Sequence, residues 1–294
     1  DYKVRNIVGD TNCNLFQIGS ETADDIQDLY IDNIYVLGAN KAGFSISTND
    51  GGHIKNVYLN SGKTGPIHSR SVMRRTRAPF FISISNRGRV LGANVAPFVF
   101  KENGTIRKEL LVTNSNIGEV ENIIVKGVDI EEVYGGSSFR GDRWKAYNGS
   151  QNKATPIIAG FKLPDSENIE GGLTFRLPNG LHTGYIENVQ FHDVNLLVKG
   201  GHPSEDAEAC PPEIGVGRYN VGDLKIQPAF GFWARHVKGF VLDNCKINAE
   251  NKDGRYAIVL DDVIGAEIKN LQVEKNVTDK ENVKAIRSHN VVVE

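Results

Sequence analysis

The chain has 294 residues, 31 glycines, a single methionine and a formal net charge of -2. The near-neutral charge gives no electrostatic reason to expect binding to nucleic acid or to an anionic membrane. No stretch approaches the roughly 18 consecutive apolar residues of a membrane-spanning helix, so no membrane partner is expected.

An alternating pattern of apolar residues recurs along the chain. Within each copy, apolar residues follow the first one at +3 and +5, and this period of two predicts strands with one buried face. The copies begin at Ile26, Ile54, Val120, Ile186, Val237 and Val263. Asparagines between the apolar positions predict left-handed or tight-turn backbone, at Asn33, Asn56, Asn122, Asn188 and Asn244. Such a repeat without helices predicts one parallel β-helix domain over 1–294.

A second set of strands lies between these copies. The segments are NLFQIGS from Asn14, GFSIST from Gly43, PFFISIS from Pro79, TPIIAGF from Thr155, FGFWARHV from Phe230 and YAIVLDDV from Tyr256. Stacked coil on coil, they should form one sheet whose outward residues share a face: Gln17, Ser45, Ser47, Ser83, Ser85, Trp233, Arg235 and Asp261. An aromatic ring among polar groups suits sugar binding, and an ordinary solvated face is the alternative.

Insertions are expected near 62–77, 134–153 and 200–229. The first carries His68 and four arginines, which would bind carboxylates such as uronic acids or pair with local acids: Arg70, Arg74, Arg75 and Arg77. The second, with Trp144 and Tyr147, suggests a rim loop. The third is rich in proline, glycine and charge, which is typical of functional or disordered loops.

The cysteines and the start of the chain add two expectations. Cys245 occupies an inward position of the repeat and should be a buried thiol; no zinc-ligand spacing is present, and no metal or cofactor is predicted. Strand character begins by Ile7, with no cap before it. We therefore expect a removed upstream segment, including a signal for secretion or periplasmic export, or end-to-end self-association at the N-terminal coil, or an unrecognised loop that covers this end.

Several of these segments together resemble glycoside hydrolase family 28, the polygalacturonase family, in its divergent bacterial branch. They are CNLFQIGSE from Cys13, AGFSISTNDGGHIKNV from Ala42, PFFISISNR from Pro79, GGHPSEDAE from Gly200, PAFGFWARHVKGFVLDN from Pro228 and the segment from Tyr256. The resemblance covers nearly the whole chain. It implies a right-handed parallel β-helix, secretion, and hydrolysis of pectic galacturonan or rhamnogalacturonan linkages with inversion.

The chain departs from the family pattern at its functional positions. Cys13, Asn14 and Leu15 stand where the family has Gly-His-Gly, and Ser45-Ile46-Ser47 stands where it has Arg-Ile-Lys. The family's paired catalytic aspartates would fall upstream of Asp1, so the resemblance transfers no catalytic residue to this chain.

The chain nevertheless offers carboxylates of its own. Glycoside hydrolysis needs two carboxyl groups, about 5 Å apart for retention or roughly 6.5 to 9.5 Å for inversion. Registering Ile18 with Ile46 brings Glu21 close to Asp50, which makes them the candidate catalytic pair, although ordinary turn chemistry is the alternative. Other carboxylate pairs are Asp24-Asp25 and Asp261-Asp262. The candidate substrate-binding residues are Gln17, Ser45, Ser47, Asn49, His68, Arg74, Arg87, Trp233 and Arg235.

Three functions remain open. The leading hypothesis is a secreted glycoside hydrolase acting on a pectic or related polysaccharide or oligosaccharide. The second is a catalytically degenerate β-helix that only binds glycan. The third is a uronate lyase, which would use the arginine cluster with His68 and a calcium bridge.

Overall fold

The computed structural model describes residues 2–19, 21–62, 70–87, 91–102, 105–112, 116–133, 155–162, 183–213 and 219–294. About two thirds of these residues (66%) are in β-strands and 4% in helices, and most of the strands belong to one large parallel sheet. The strands are β1 (Tyr2–Thr11), β2 (Phe16–Ile18), β3 (Ile26–Thr48), β4 (His53–Leu59), β5 (Ser71–Met73), β6 (Thr76–Ile84), β7 (Val95–Glu102), β8 (Thr105–Val112), β9 (Glu119–Val133), β10 (Ile157–Ala159), β11 (Phe161–Lys162), β12 (Thr183–Gly184), β13 (Ile186–Gly200), β14 (Ala229–Asp243), β15 (Lys246–Asn251), β16 (Tyr256–Lys269), β17 (Gln272–Val273), β18 (Val283–Ile286) and β19 (His289–Val293).

The apolar repeat stacks into a single ladder that runs along the molecule. Ile26 pairs with Ile54, Ile54 with Val120, Ile186 with Val237, and Val237 with Val263, always in parallel. Each copy of the repeat is therefore one coil, and a coil hydrogen-bonds to the next at the usual strand spacing of about 4.8 Å. This register confirms the predicted parallel β-helix.

Left-handed residues bend the strands at equivalent places in successive coils. A first turn ladder has φ between 53° and 73° at Asp28, Asn56, Asn122, Asn188, Gly239, Gly265 and Asn290. A second turn ladder has φ between 52° and 61° at Asn6, Asn33, Gly127, Asp193, Asn244 and Asn270. Asparagine, aspartate and glycine adopt this conformation most readily, which confirms the role predicted for the asparagines of the repeat.

The second set of strands forms one continuous face, which we call the third face. It contains β2, residues 44–48, 80–84, 157–159, 232–235 and 258–261, and β18. Phe44 and Phe80 point inward from it, and the Phe80 ring packs against Phe191 with centroids 5.0 Å apart. Phe191 also packs against Phe232 at 4.9 Å, so aromatic rings connect the coils through the core.

The insertions differ from their predicted bounds. The range 62–77 is too wide, because β5 and the start of β6 pair with neighbouring coils. An antiparallel hairpin of β7 and β8, which was not predicted, projects between β6 and β9. The insertion at 134–153 lies outside the described residues. The residues around 200–229 contain two 3-10 helices, Ser204–Glu208 and Val221–Leu224.

Two further sequence expectations can be compared with the structure. Cys245 is 1% exposed, which confirms the predicted buried thiol, and burial raises its pKa to about 11. Among the described residues, no helix is long and apolar enough to cross a membrane.

Candidate functional site

A polar pocket of about 160 Å³ lies where the third face meets the segment that follows β13. We call residues 200–213 and 219–229 of that segment the covering segment. The pocket is lined by Cys13, Asn14, Gln17, Glu21, Lys41, Ser45, Ser47, Asn49, Phe81, Arg87, Tyr219, Asn220 and Val221. Five of the residues proposed from sequence for substrate binding are therefore brought together: Gln17, Ser45, Ser47, Asn49 and Arg87.

The floor of the pocket is a row of outward residues from three successive coils. Gln17 pairs with Ser45, and Ser45 pairs with Phe81, because the second set of strands alternates inward and outward in a common register. Next to this row, Ser47 Oγ and Ser83 Oγ are 2.8 Å apart and share a hydrogen bond. The floor thus presents amide and hydroxyl groups beside one aromatic ring.

Two carboxylates and one guanidinium meet at one side of the pocket. Ile18, Ile46 and Ile82 are in register, as predicted for the first two, so the residues that follow each strand converge. Arg87 Nη2 donates to Glu21 Oε1 at 2.9 Å and to Asp50 Oδ2 at 2.8 Å.

The bridging arginine changes what this carboxylate pair can do. Arg87 Nη2 bonds one oxygen of each carboxylate, Glu21 Oε1 at 2.9 Å and Asp50 Oδ2 at 2.8 Å, so these two oxygens lie at most about 5.7 Å apart. That distance is compatible with a retaining glycosidase. However, Arg87 Nη2 occupies the space between the carboxylates, where the scissile bond would have to lie. The Asp50 side chain is also completely buried. The geometry therefore favours a structural role for the pair, and catalysis by Glu21 and Asp50 stays a prediction.

The covering segment forms the roof of the pocket with Tyr219, Asn220 and Val221. Lys41 Nζ donates to Asn220 Oδ1 at 2.8 Å, and the guanidinium of Arg87 lies 5.4 Å from the Tyr219 ring centroid. Sequence reasoning missed Lys41 and the whole roof, because no local pattern indicates where a long insertion will dock. The one available signal was the spacing of Asn220 and Asp223, which form a capping box at the second 3-10 helix.

Beside the pocket, the buried Arg87–Asp50 pair has two polar atoms without a hydrogen-bond partner among the described residues. Arg87 is 3% exposed, and its Nε is buried with no hydrogen-bond partner among the described residues. Asp50 Oδ1 is likewise buried and unpartnered within the part of the chain that the structure describes. Buried donors are almost always paired in native proteins, so these two atoms add to the cost of burying the Arg87–Asp50 pair, and neither is accessible from the pocket.

Three of the described residues proposed from sequence do not contribute to this pocket. Trp233 and Arg235 do point outward, but they are 1% and 2% exposed, and Arg235 donates to the carbonyls of Pro211 and Pro212 at 2.6 and 2.8 Å. The prediction that they contact a substrate is wrong, because both side chains are buried: the covering segment contacts Arg235, whose guanidinium lies 4.8 Å from the Trp233 ring centroid. Arg74 follows β5 on another side of the coil and pairs with Glu131 at 3.2 Å. His68 lies outside the described residues.

The basic cluster predicted around Arg74 is largely neutralised. Arg70 donates to both oxygens of Asp129 at 2.8 Å and also pairs with Asp193. Arg75 lies 3.4 Å from Glu132. These contacts match the alternative considered for the cluster, in which its arginines pair with local acids.

A second group of ionisable residues lies further along the third face. His236 Nδ1 is 2.6 Å from Asp262 Oδ2, and its Nε2 is 3.1 Å from Glu213 Oε1 in the covering segment. Tyr185 donates to Asp262 at 3.1 Å; burial, followed by the Asp262 charge, raises the pKa of Tyr185 to about 12. No sequence pattern linked these residues, since they come from four separate segments.

The described residues contain no cluster of three or more histidine, cysteine or acidic side chains that could hold a metal ion. Comparison with known proteins adds no assignment: no family model, no curated protein and no solved structure matches this chain.

Proposed function

We propose that this chain is a carbohydrate-binding β-helix that holds one sugar unit of a pectic or related polysaccharide in the pocket beneath the roof. The observation that carries the proposal is the combination of Gln17 and Ser45 on the floor, the Tyr219 ring in the roof and the Lys41 ammonium, all lining one pocket. Amides and hydroxyls bond sugar hydroxyls as donors and acceptors, and an aromatic ring packs on the apolar face of a pyranose.

The size and charge of the pocket limit the kinds of ligand that it can bind. At about 160 Å³ it is smaller than the roughly 300 to 1,000 Å³ of pockets for drug-sized molecules, which suits a single ring of a longer chain. Lys41 lines the pocket and forms no ion pair with any described carboxylate. An unpaired ammonium favours a sugar that carries a carboxylate, as the sugars of pectic polysaccharides do.

Hydrolysis is the second candidate, and the short distance between Glu21 and Asp50 is the observation that favours it. It would require Arg87 to move out from between the two carboxylates when substrate binds. The lyase hypothesis has less support, because Arg70, Arg74 and Arg75 are engaged by acidic residues. Secretion or periplasmic location stays a prediction.

Calorimetric titration with oligosaccharides of homogalacturonan, rhamnogalacturonan and cellulose tests the proposal. We expect heat of binding with a pectic oligosaccharide and none with the cellulose fragment. Gln17→Leu removes hydrogen bonds from the floor and should weaken binding by about tenfold. Gln190→Leu is the matched control, because Gln190 lies on another side of the coil and bonds Asn188 and His192.

Reducing-sugar release in the same samples separates binding from hydrolysis. Under the proposal we expect no release of reducing sugar, although the pectic oligosaccharide binds. Release by the natural chain that is lost in Glu21→Gln would establish hydrolysis instead. Absence of binding to every pectic oligosaccharide, or equal effects of the two leucine variants, would reject the pocket as the saccharide site.

A further inference from the structure

His236 connects the covering segment to the body of the β-helix. Its imidazole lies between Glu213, in the covering segment, and Asp262, in the next coil, at 3.1 and 2.6 Å. The His236 side chain is only 2% exposed. We call the contact Glu213–His236–Asp262 the His236 link.

The His236 link lies close in sequence to the roof of the pocket. Five residues separate Glu213 from Tyr219, the first residue of the roof. Arg235, the neighbour of His236, donates hydrogen bonds to the carbonyls of Pro211 and Pro212. Its Nη2 lies 3.6 Å from Glu213 Oε2. The covering segment is therefore fixed to the third face at residues 211–213, six positions before Tyr219.

The link depends on the protonation of His236. An imidazolium has two N–H groups and can donate to Glu213 and Asp262 together, whereas a neutral imidazole has one N–H and can donate to only one of them. Loss of the proton thus leaves one nitrogen lone pair facing a carboxylate oxygen. The charged and titratable groups around the ring are Glu213 from the covering segment, Asp262 and Arg287 from later coils, Arg235 beside it, and Tyr185 through Asp262.

The surroundings favour the charged ring. Burial alone lowers the pKa of His236, but the hydrogen bonds to Asp262 and Glu213 outweigh burial and raise it above 6.5. Burial favours the neutral forms of Glu213 and Asp262, but the Arg235 charge and the His236 ring lower the pKa of Glu213, and the His236 ring lowers that of Asp262. The link is therefore complete below about pH 6.5, down to the range in which these carboxylates titrate, and is lost as the pH rises through the raised pKa of His236.

We propose that His236 is a positioning residue for the pocket, which holds the roof in place while its ring is protonated and releases the roof when the proton is lost. The expected consequence, saccharide affinity that falls as the pH rises, rests on the proposed function. The link itself does not, and it can be tested without any saccharide.

Cys13 provides a measure of roof position, because it lines the same pocket as Asn220 and Val221. The experiment follows alkylation of Cys13 by iodoacetamide from about pH 5 to about pH 9. Cys210→Ser is used as the background, since Cys210 is exposed, while Cys245 is buried and has a pKa of about 11. Alkylation rates of the variants are compared at the same pH, so their ratio reports roof position and not the direct effect of pH on the reagent or the thiol.

We expect His236→Gln to raise the alkylation rate about fivefold near pH 5.5, with the ratio to the background protein falling towards one as the pH rises. His192→Gln is the matched control, because His192 bonds Gln190 and Asp243, away from the covering segment. Its ratio should stay at one. Glu213→Gln, which keeps the His236–Asp262 contact, should act in the same direction as His236→Gln and serves if the latter does not fold.

The proposal would be overturned if the Cys13 alkylation rates of His236→Gln and Glu213→Gln both equalled that of the background protein at every pH. It would also be overturned if His192→Gln raised the rate as much as His236→Gln does. A pH-dependent ratio without any saccharide binding would support the link and reject the proposed function. Saccharide binding together with a ratio that does not change with pH would support the proposed function and reject the link.

Discussion

At the residue scale, Arg87 organises one side of the pocket. It bonds two carboxylates that differ greatly in exposure: the Asp50 side chain is 0% exposed and that of Glu21 is 71% exposed. An exposed ion pair contributes little to stability, whereas removing one partner of a buried pair leaves an uncompensated charge. The two carboxylates should therefore have different energetic roles although they bond the same nitrogen.

This difference gives a direct test by mutation. We expect Asp50→Asn to lower the free energy of unfolding by about 3 kcal/mol, and Glu21→Gln to lower it by less than about 1 kcal/mol. Urea denaturation followed by circular dichroism measures both values. Equal losses from the two variants would show that Asp50 is not the buried partner that stabilises Arg87.

At the element scale, the first turn ladder is built from side-chain hydrogen bonds between coils. Asn56 donates to Asp28 at 2.8 Å, Asn122 to Asn56 at 2.6 Å and Asn188 to Asn122 at 3.0 Å. Gly239 follows Asn188 at the equivalent position, with φ of 72°, and supplies no side chain. A β-carbon added there would lie 3.6 Å from the Asn188 backbone, which is ordinary contact.

Gly239→Asn should therefore extend the ladder. Asparagine tolerates the left-handed conformation and can donate to Asn188, so we expect unchanged stability or a gain of about 0.5 kcal/mol. Gly239→Val places a β-branched residue at a positive φ and should cost about 2 kcal/mol. Thermal and urea unfolding of both variants measure these changes, and equal losses would contradict the ladder as the reason for the residue choice.

The strands and the hairpin also show which parts of the fold could be predicted from the sequence. Period-two alternation predicted the coils and the third face, because a one-residue shift would expose every inward side chain. The β7–β8 hairpin was missed although Asn103-Gly104 between apolar runs is a strong hairpin signal. Burial of Trp233 and Arg235 was not predictable, since alternation indicates direction but not which distant segment will lie over a face.

At the scale of the whole molecule, stability should depend on position along the solenoid. Each coil contacts mainly its neighbours, so an interior residue that packs against several coils matters more than one with a single stacking partner. Phe191 packs against Phe80, Phe232 and Phe240, whereas Phe16 is half-buried and stacks on Phe44.

Phe191→Ala should accordingly cost about 3 to 5 kcal/mol, and Phe16→Ala less than half as much. Guanidinium unfolding of the two variants gives the comparison. Hydrogen exchange adds a spatial measure, with the slowest amides expected in β9, β13 and β14. A smaller loss for Phe191→Ala than for Phe16→Ala would contradict a core that is continuous from coil to coil.

The account of the whole molecule depends on one central claim, that the pocket beneath Tyr219 is where carbohydrate binds. A crystal structure with a homogalacturonan or rhamnogalacturonan oligosaccharide tests it most directly. We predict one sugar ring between Ser45 and Tyr219, with a sugar hydroxyl at Gln17 and a carboxylate at Lys41. An oligosaccharide bound elsewhere on the coil, with this pocket empty, would contradict the account.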